Sequence, residues 1–137
     1  MTIRAYTDYR EAEITALYAA VGWSAYTGDP AVLRRGFEGS LLVLAAYEED
    51  TLAGIARAVG DAATVVYIQD ILVHPGYRRR GIGSALLNSI LEKYSGVRQV
   101  VLVTDDTPET AAFYRSAGFT ELSGMHCVGF MRISGRG

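Results

Sequence analysis

The sequence predicts an α/β domain with a mixed sheet: antiparallel strands first, then a central parallel pair joined by a crossover helix. Three observations carry this. Residues 41–47, 52–59 and 64–73 are apolar, strand-like runs separated only by the short polar links EEDT and GDAA, a spacing that favours antiparallel hairpins. From Gly81 an amphipathic helical pattern follows, with Ile82, Leu86 and Ile90 on one stripe and Leu87, Leu91 and Tyr94 beside it. Residues 99–104, QVVLVT, are then a continuous β-branched run of the kind expected for a strand buried on both faces. Strand, helix and strand within residues 64–104 leave room for a right-handed crossover, which makes those two strands parallel.

The remaining elements follow in order. TIRAYT, residues 2–7, reads as a first short strand. Asp8 is the expected N-cap of a helix whose apolar positions recur at Ile14, Leu17, Tyr18 and Val21, and Gly22 closes it. Residues 23–28 read as a loop holding Trp23 and Tyr26. Asp29-Pro30 then pairs a cap with a first-turn proline and opens a helix to about Glu38. Residues 74–80 are a loop, and Gly96 ends the helix that follows it. Pro108 holds Thr107 extended, so Thr107 caps a helix running to Ala117, stopped by Gly118. Residues 119–122 and 127–133 complete the chain as a strand pair around Gly124. The sum is about six or seven strands and four helices. At 137 residues a single domain, 1–137, is expected.

Composition narrows the function. Half the residues are hydrophobic and 20% are charged, the balance of a packed protein rather than a disordered one. Lys and Arg total 13 against 15 acids, a net charge of −2, which argues against a partner held by its phosphate backbone; no nucleic acid is expected. The charged N-terminal stretch lacks the apolar core of a signal peptide, and the longest apolar run is far short of the ~20 residues that cross a bilayer. A cytoplasmic protein without a membrane partner is the expectation. The single cysteine, Cys127, permits no intramolecular disulfide and no metal is expected; a small buried hydrophobe is its expected role.

The densest positive charge lies in HPGYRRRGIGSALL, residues 74–87. A loop that leaves a strand and enters a helix through glycines offers free amides at the positive end of a helix dipole, a geometry that binds phosphates. A P-loop would need a Gly-Lys-Ser/Thr that is absent, and the dinucleotide fingerprint fails because Leu86 stands at its third glycine position. An ordinary solvated turn is the remaining alternative.

The stretch ILVHPGYRRRGIGSALL resembles the acyl-CoA-binding signature of the GNAT superfamily of N-acetyltransferases. That signature, Gln/Arg-x-x-Gly-x-Gly/Ala after the fourth strand, is matched by Arg78, Gly81 and Gly83, and the preceding strand-then-proline pattern by Ile71, Leu72, Val73 and Pro75. A second landmark of the family, aromatic-Tyr followed three residues later by Gly-Phe, stands as Phe113-Tyr114-Arg115-Ser116-Ala117-Gly118-Phe119. The motif-bearing match spans roughly residues 64–122, in the right strand–helix–strand–helix frame.

The resemblance implies a GNAT-like fold and acetyl-CoA as co-substrate, with its pyrophosphate wrapped by the loop of Arg78, Arg79, Arg80, Gly81, Ile82, Gly83 and Ser84. It implies that the strand of Ile71, Leu72 and Val73 splays at a bulge and pairs with the pantetheine arm, an N–H there holding the thioester oxygen. It makes Tyr114 the general acid for the departing thiolate, with aromatic packing as the alternative role and Phe113 beside it. Thr107 and Thr110 stand where the family often has Asn-x-x-Ala, so Thr107 caps the helix and offers a hydroxyl to the cofactor in place of asparagine. Asp70 interrupts the apolar strand IQDILV, where a carboxylate is costly unless paired or set in a cleft. It binds the acceptor amine or relays its proton, or else serves a structural salt bridge. His74 is a turn residue in this reading. Trp23, Tyr26 and Asp29 lie where the family builds its acceptor pocket; an aromatic wall with a carboxylate suits a primary amine, and packing beneath the loop is the alternative. The expected function is acetyl transfer to a primary amine of a small molecule by direct attack in a ternary complex. The alternatives are a protein or peptide acceptor and a non-catalytic acyl-CoA-binding module. A homodimer is left open.

Overall fold

The hairpins form where the short polar links fall. The computed structural model describes residues 1–134, with the side chains of Ala25 and Tyr26 outside that description. Its elements are β1 (Thr2–Ala5), α1 (Glu11–Ala20), α2 (Ser24–Thr27), α3 (Pro30–Glu38), β2 (Leu42–Glu48), β3 (Thr51–Gly60), β4 (Val65–Val73), α4 (Ile82–Lys93), β5 (Gln99–Leu102) and α5 (Pro108–Ser116). Short 3₁₀ turns stand at Pro75–Tyr77 and Leu122–Met125. The sheet runs β1-β2-β3-β4-β5; the first three pairings are antiparallel and β4–β5 is parallel, with α4 as the crossover. The mixed α/β fold is thus the one the sequence predicts. The chain divides into two compact units, Met1–Val103 and Thr104–Gly137. No helix among the described residues is long and apolar enough to cross a membrane.

In the first unit both sheet faces are covered. Ile14, Leu17 and Tyr18 of α1 and Leu33 and Phe37 of α3 form one core with Val43, Ala45, Leu52, Ile55 and Leu72. Ile55 points into that core, so at a period of two Gly54 faces the other side, where α4 packs. A Cβ at Gly54 would meet Ile82 Cγ2 at 3.0 Å, the Leu72 carbonyl at 3.0 Å and Leu86 Cδ1 at 3.2 Å. Glycine there lets α4 lie close on β3 and β4, which fixes where the helix begins. The β3–β4 link is held by Asp61. One carboxylate oxygen accepts from the amides of Ala63, Thr64 and Val65, the other from the Thr64 hydroxyl, and these bonds hold its carboxyl below the usual range.

Two opposite charges lie inside this packing. Arg57 of β3 and Asp70 of β4 are cross-strand partners, 6% and 2% exposed. Arg57 Nε donates to Asp70 Oδ2 at 2.9 Å, and the Tyr18 hydroxyl of α1 donates to the same oxygen at 2.8 Å. The guanidinium also lies 5.4 Å from the centre of the Phe37 ring, and its Nη1 is 3.4 Å from Ser40 Oγ. One contact set therefore ties α1, α3, β3 and β4 together.

Several expected boundaries change. Asp8 does not cap α1; Arg10 occupies the N-cap without a side-chain bond, and Asp8 instead lies 3.7 Å from the exposed Arg10 guanidinium. Residues 24–27 of the expected loop close one helical turn, the Gly28 amide donating to the Ser24 carbonyl. β5 stops at Leu102, and residues 100–102 are half-buried rather than covered on both faces, because β5 pairs with β4 alone among the described residues. Residues 119–122 and 127–133 form no strands, so the sheet has five strands instead of six or seven. A strand exists only through the neighbour that completes its ladder, and no described residue supplies one there. Cys127 is exposed, not buried as expected.

The buried charge pair gives a stability prediction. Arg57→Met should destabilise the chain by about 3–5 kcal/mol, because Asp70 is left buried without its counter-charge, while Arg57→Met/Asp70→Leu should recover most of that loss. Urea unfolding of the two variants checks it.

Candidate active site

Asp70 and the candidate cofactor-binding residues of the first unit lie along one continuous stretch, from Asp70 to Ser84. β4 pairs with β3 along its length, Gly54↔Val73 to Gly60↔Val66. It pairs with β5 only from Val65↔Gln99 to Ile68↔Leu102. Beyond that point residues 70–73 have a strand partner on one side only among the described residues. The register also slips there: Arg57 faces Asp70 and Ala58 faces Ile68, which leaves Gln69 as the extra residue of a bulge. Ile71, Leu72 and Val73 thus present a backbone edge with no strand beside it among the described residues, with Leu72 buried in the α1–α3 core and Ile71 and Val73 half-buried.

The chain leaves that edge through a tight turn. The His74 amide donates to the Ala53 carbonyl at 2.8 Å, and its Nδ1 accepts from the Gly76 amide at 2.9 Å, so His74 caps the 3₁₀ turn. Arg78, Arg79 and Arg80 follow, all exposed, with Arg80 stacked 5.2 Å over the Tyr77 ring. Arg79 and Gly81 both take left-handed conformations, φ +65° and +77°. An added Cβ at Gly81 would meet nothing within 4 Å, so its backbone angle, not crowding by the protein, calls for glycine.

Gly81 is the N-cap of α4 and offers no side-chain bond, and the first-turn amides of Ile82, Gly83 and Ser84 have no intramolecular partner among the described residues. Orphan amides at the positive end of a twelve-residue helix, behind three cations, fit a phosphate group. An open strand edge leading straight into them fits a ligand that carries amides next to a pyrophosphate, as coenzyme A does.

Asp70 sits beside this edge, inside the core. Both its protein partners use Oδ2, and Oδ1 is buried with no partner among the described residues. Burial and the adjacent carboxylate push the Tyr18 phenol far above its ordinary pKa, so it stays a hydrogen-bond donor. Trp23, 37% exposed, meets the Tyr18 ring edge-on at 6.0 Å, which links the surface aromatic to Asp70 through one side chain. Asp29 does not join them; it caps α3 by accepting from the Val32 amide at 3.3 Å. The side chain of Tyr26 lies outside the described residues. Sequence reasoning passed over Tyr18 and Arg57 here. The signal was present: Arg57 is the lone charge in LAGIARAVG as Asp70 is in IQDILV, and hairpin register sets them opposite each other.

The second unit holds the other candidates. Thr107 caps α5, its hydroxyl accepting from the Thr110 amide at 3.2 Å and bonded to the Thr110 hydroxyl. Phe113 and Tyr114 are half-buried, their rings 4.9 Å apart, and Phe119 meets Tyr114 edge-on at 5.7 Å. Burial raises the Tyr114 phenol above its ordinary pKa, and its hydroxyl makes no hydrogen bond among the described residues.

Comparison with known proteins agrees with this geometry. The family model for the acetyltransferase (GNAT) domain matches residues 39–121. An uncharacterised ycf52-like N-acetyltransferase of Prochlorococcus marinus is 33% identical over 123 residues, 85% of this chain and 66% of that protein. A mycothiol acetyltransferase of Kineococcus radiotolerans is 42% identical over 96 residues, 67% of this chain but only 31% of its own length. The chain therefore spans less than two thirds of either relative. Among solved structures, a GNAT family acetyltransferase from Streptococcus pneumoniae TIGR4 superposes with a TM-score of 0.87 at 35% identity, over 97% of both chains. Strand edge, glycine loop and matched relatives converge: the chain belongs to the GNAT family of acetyltransferases.

Proposed function

We propose that the chain is an acetyl-CoA-dependent N-acetyltransferase acting on a primary amine of a small molecule by direct attack in a ternary complex, with both units forming one catalytic domain. The observation that carries this is the passage from the one-sided edge of β4 into the uncapped start of α4. The two sites differ chemically and are joined by only a few residues. Residues 71–73 offer peptide groups to the amides of a pantetheine arm. The amides from Arg79 to Ser84 hold the pyrophosphate, and Arg78, Arg79 and Arg80 add charge-assisted contacts to its oxygens and to the 3′-phosphate. Thr107 contributes its hydroxyl and Phe113 an apolar wall.

When bound, acetyl-CoA supplies a thioester-activated acetyl group; the chain's own task is to orient it, exclude water and manage protons. An unpaired N–H of the β4 edge polarises the thioester carbonyl. Tyr114 holds the proton for the departing thiolate. The phenol is protonated at neutral pH and its hydroxyl makes no hydrogen bond among the described residues, which leaves the proton free to be given up. The attacking amine must be neutral. Asp70 takes up its proton through the unpartnered Oδ1, by way of water, while Arg57 and Tyr18 hold the carboxylate still. Trp23 forms the acceptor's aromatic wall, with Asp29 at its rim, and Tyr26 is included on its sequence position alone. We further propose a homodimer, because apolar side chains of residues 125–133 stand exposed in one chain.

Thiol release from acetyl-CoA across a panel of primary amines and peptides tests the activity: turnover on small amines is expected, and tight cofactor binding without turnover on any acceptor would overturn it. Gly83→Asp places an anion where the pyrophosphate is held, yet suits a helix N-terminus, so the fold should survive while acetyl-CoA affinity falls at least about 100-fold in calorimetry. Tyr114→Phe should lower kcat by about 10²-fold or more with less than about a threefold change in acetyl-CoA affinity. An unchanged kcat in steady-state assays would remove Tyr114 from the mechanism.

A further inference from the structure

The Arg57 guanidinium does not meet Asp70 squarely. A guanidinium carries Nε and Nη2 along one edge, and a carboxylate against that edge ordinarily takes two parallel bonds. Here Nε donates to Oδ2 at 2.9 Å, while the buried Oδ1 has no partner among the described residues. The opposite corner of the cation is held by the end of α3. Nη1 donates to Ser40 Oγ at 3.4 Å. The Ser40 hydroxyl gives its one hydrogen to the Gly36 carbonyl at 2.7 Å, which leaves its lone pairs to the cation. Gly36 supplies the room, since a Cβ there would stand 3.1 Å from Nη1 and 3.7 Å from Cζ. Glycine is a poor helix former, so its place in the last turn of α3 needs a reason, and the guanidinium gives one. That turn is also the negative end of the helix, which favours a cation.

We propose that Ser40 and Gly36 are positioning residues: they draw the Arg57 guanidinium toward α3, so that Asp70 keeps Oδ1 for the proton of the acceptor amine. This rests on the reading of Asp70 as the proton acceptor of acetyl transfer. A carboxylate clasped on both oxygens is a poorer base, because every hydrogen bond to its charged form favours that form. The groups that meet Asp70 divide accordingly. Tyr18 from α1 and Arg57 from β3 both use Oδ2, and α3 acts on the pair only through the uncharged Ser40 and Gly36. Ser40 also ends the helix, its amide donating to the Phe37 carbonyl at 3.1 Å, so a purely structural role is the alternative to be separated.

A crystal structure and steady-state kinetics of full-length Ser40→Ala test this. Without the hydroxyl the guanidinium should turn onto the carboxylate, bringing Arg57 Nη2 within about 3.2 Å of Asp70 Oδ1. In the same variant kcat should fall about 10-fold, with less than about a twofold change in KM for acetyl-CoA or the amine. Ser40→Thr keeps the oxygen and should restore kcat, whereas a mere helix cap would move the urea midpoint and leave kcat alone. Gly36→Ala pushes Nη1 away from α3, should act alike, and serves if Ser40→Ala does not fold. A guanidinium that stays in place, or one that moves while kcat holds, overturns the inference. A folded Asp70→Asn with undiminished kcat overturns the reading of Asp70, and turnover by the parent chain on no amine overturns acetyl transfer; either takes this inference with it. A low kcat in Asp70→Asn beside an unchanged kcat in Ser40→Ala overturns this inference alone.

Discussion

The structure depends on β4 outlasting β5. For four residues β4 has a strand on each side, and from Asp70 onward it has one among the described residues, because β5 ends at Leu102. Backbone groups at a sheet's centre are normally paired, and leaving them open forfeits ladder bonds that water must replace. The opening survives because everything around it is fixed independently. β3 holds the full length of β4 from the other side, α4 is seated close against Gly54, and the Arg57–Asp70 pair ties the strands beside the bulge. The edge is thus held from β3, α4 and the buried pair, and the proposed binding of a peptide-like arm there would need little prior ordering.

The same economy governs charge. A buried carboxylate is costly, and Asp70 has two donors on one oxygen and none on the other among the described residues. A pair serving stability alone would gain more from a two-pronged contact, which guanidinium and carboxylate readily make. The one-sided arrangement leaves an acceptor atom in the core within one aromatic side chain of Trp23. At the other end of the edge, α4 begins on a glycine with no capping side chain, so its first-turn amides have no intramolecular partner among the described residues. Two polar features without a partner among the described residues, Asp70 Oδ1 and the start of α4, thus frame the strand edge that the proposed reaction uses.

Much of this was legible in the sequence because it is local. The polar links EEDT and GDAA fixed three strands, Asp29-Pro30 and Thr107-Pro108 fixed two helix starts, and RRRGIG marked the loop before α4. What escaped depends on partners distant in sequence. Asp8 looked like a cap, but helix packing starts α1 three residues later. Residues 99–104 and 127–133 have the composition of covered strands, and composition does not say whether the cover comes from the same chain. Tyr18 lies 52 residues from Asp70, so its role needed the fold. Gln69 as a bulge needed the register of β3 against β4, which no single strand reveals.

The central claim is that one ligand spans the β4 edge and the start of α4. The direct measurement is a titration of the isotopically labelled chain with acetyl-CoA, followed through its backbone amide resonances. The account predicts saturable shifts of the amides at residues 71–73 and 79–84, with one common dissociation constant. Saturable binding that leaves both groups of amides unmoved, or that moves them with unrelated constants, would contradict it.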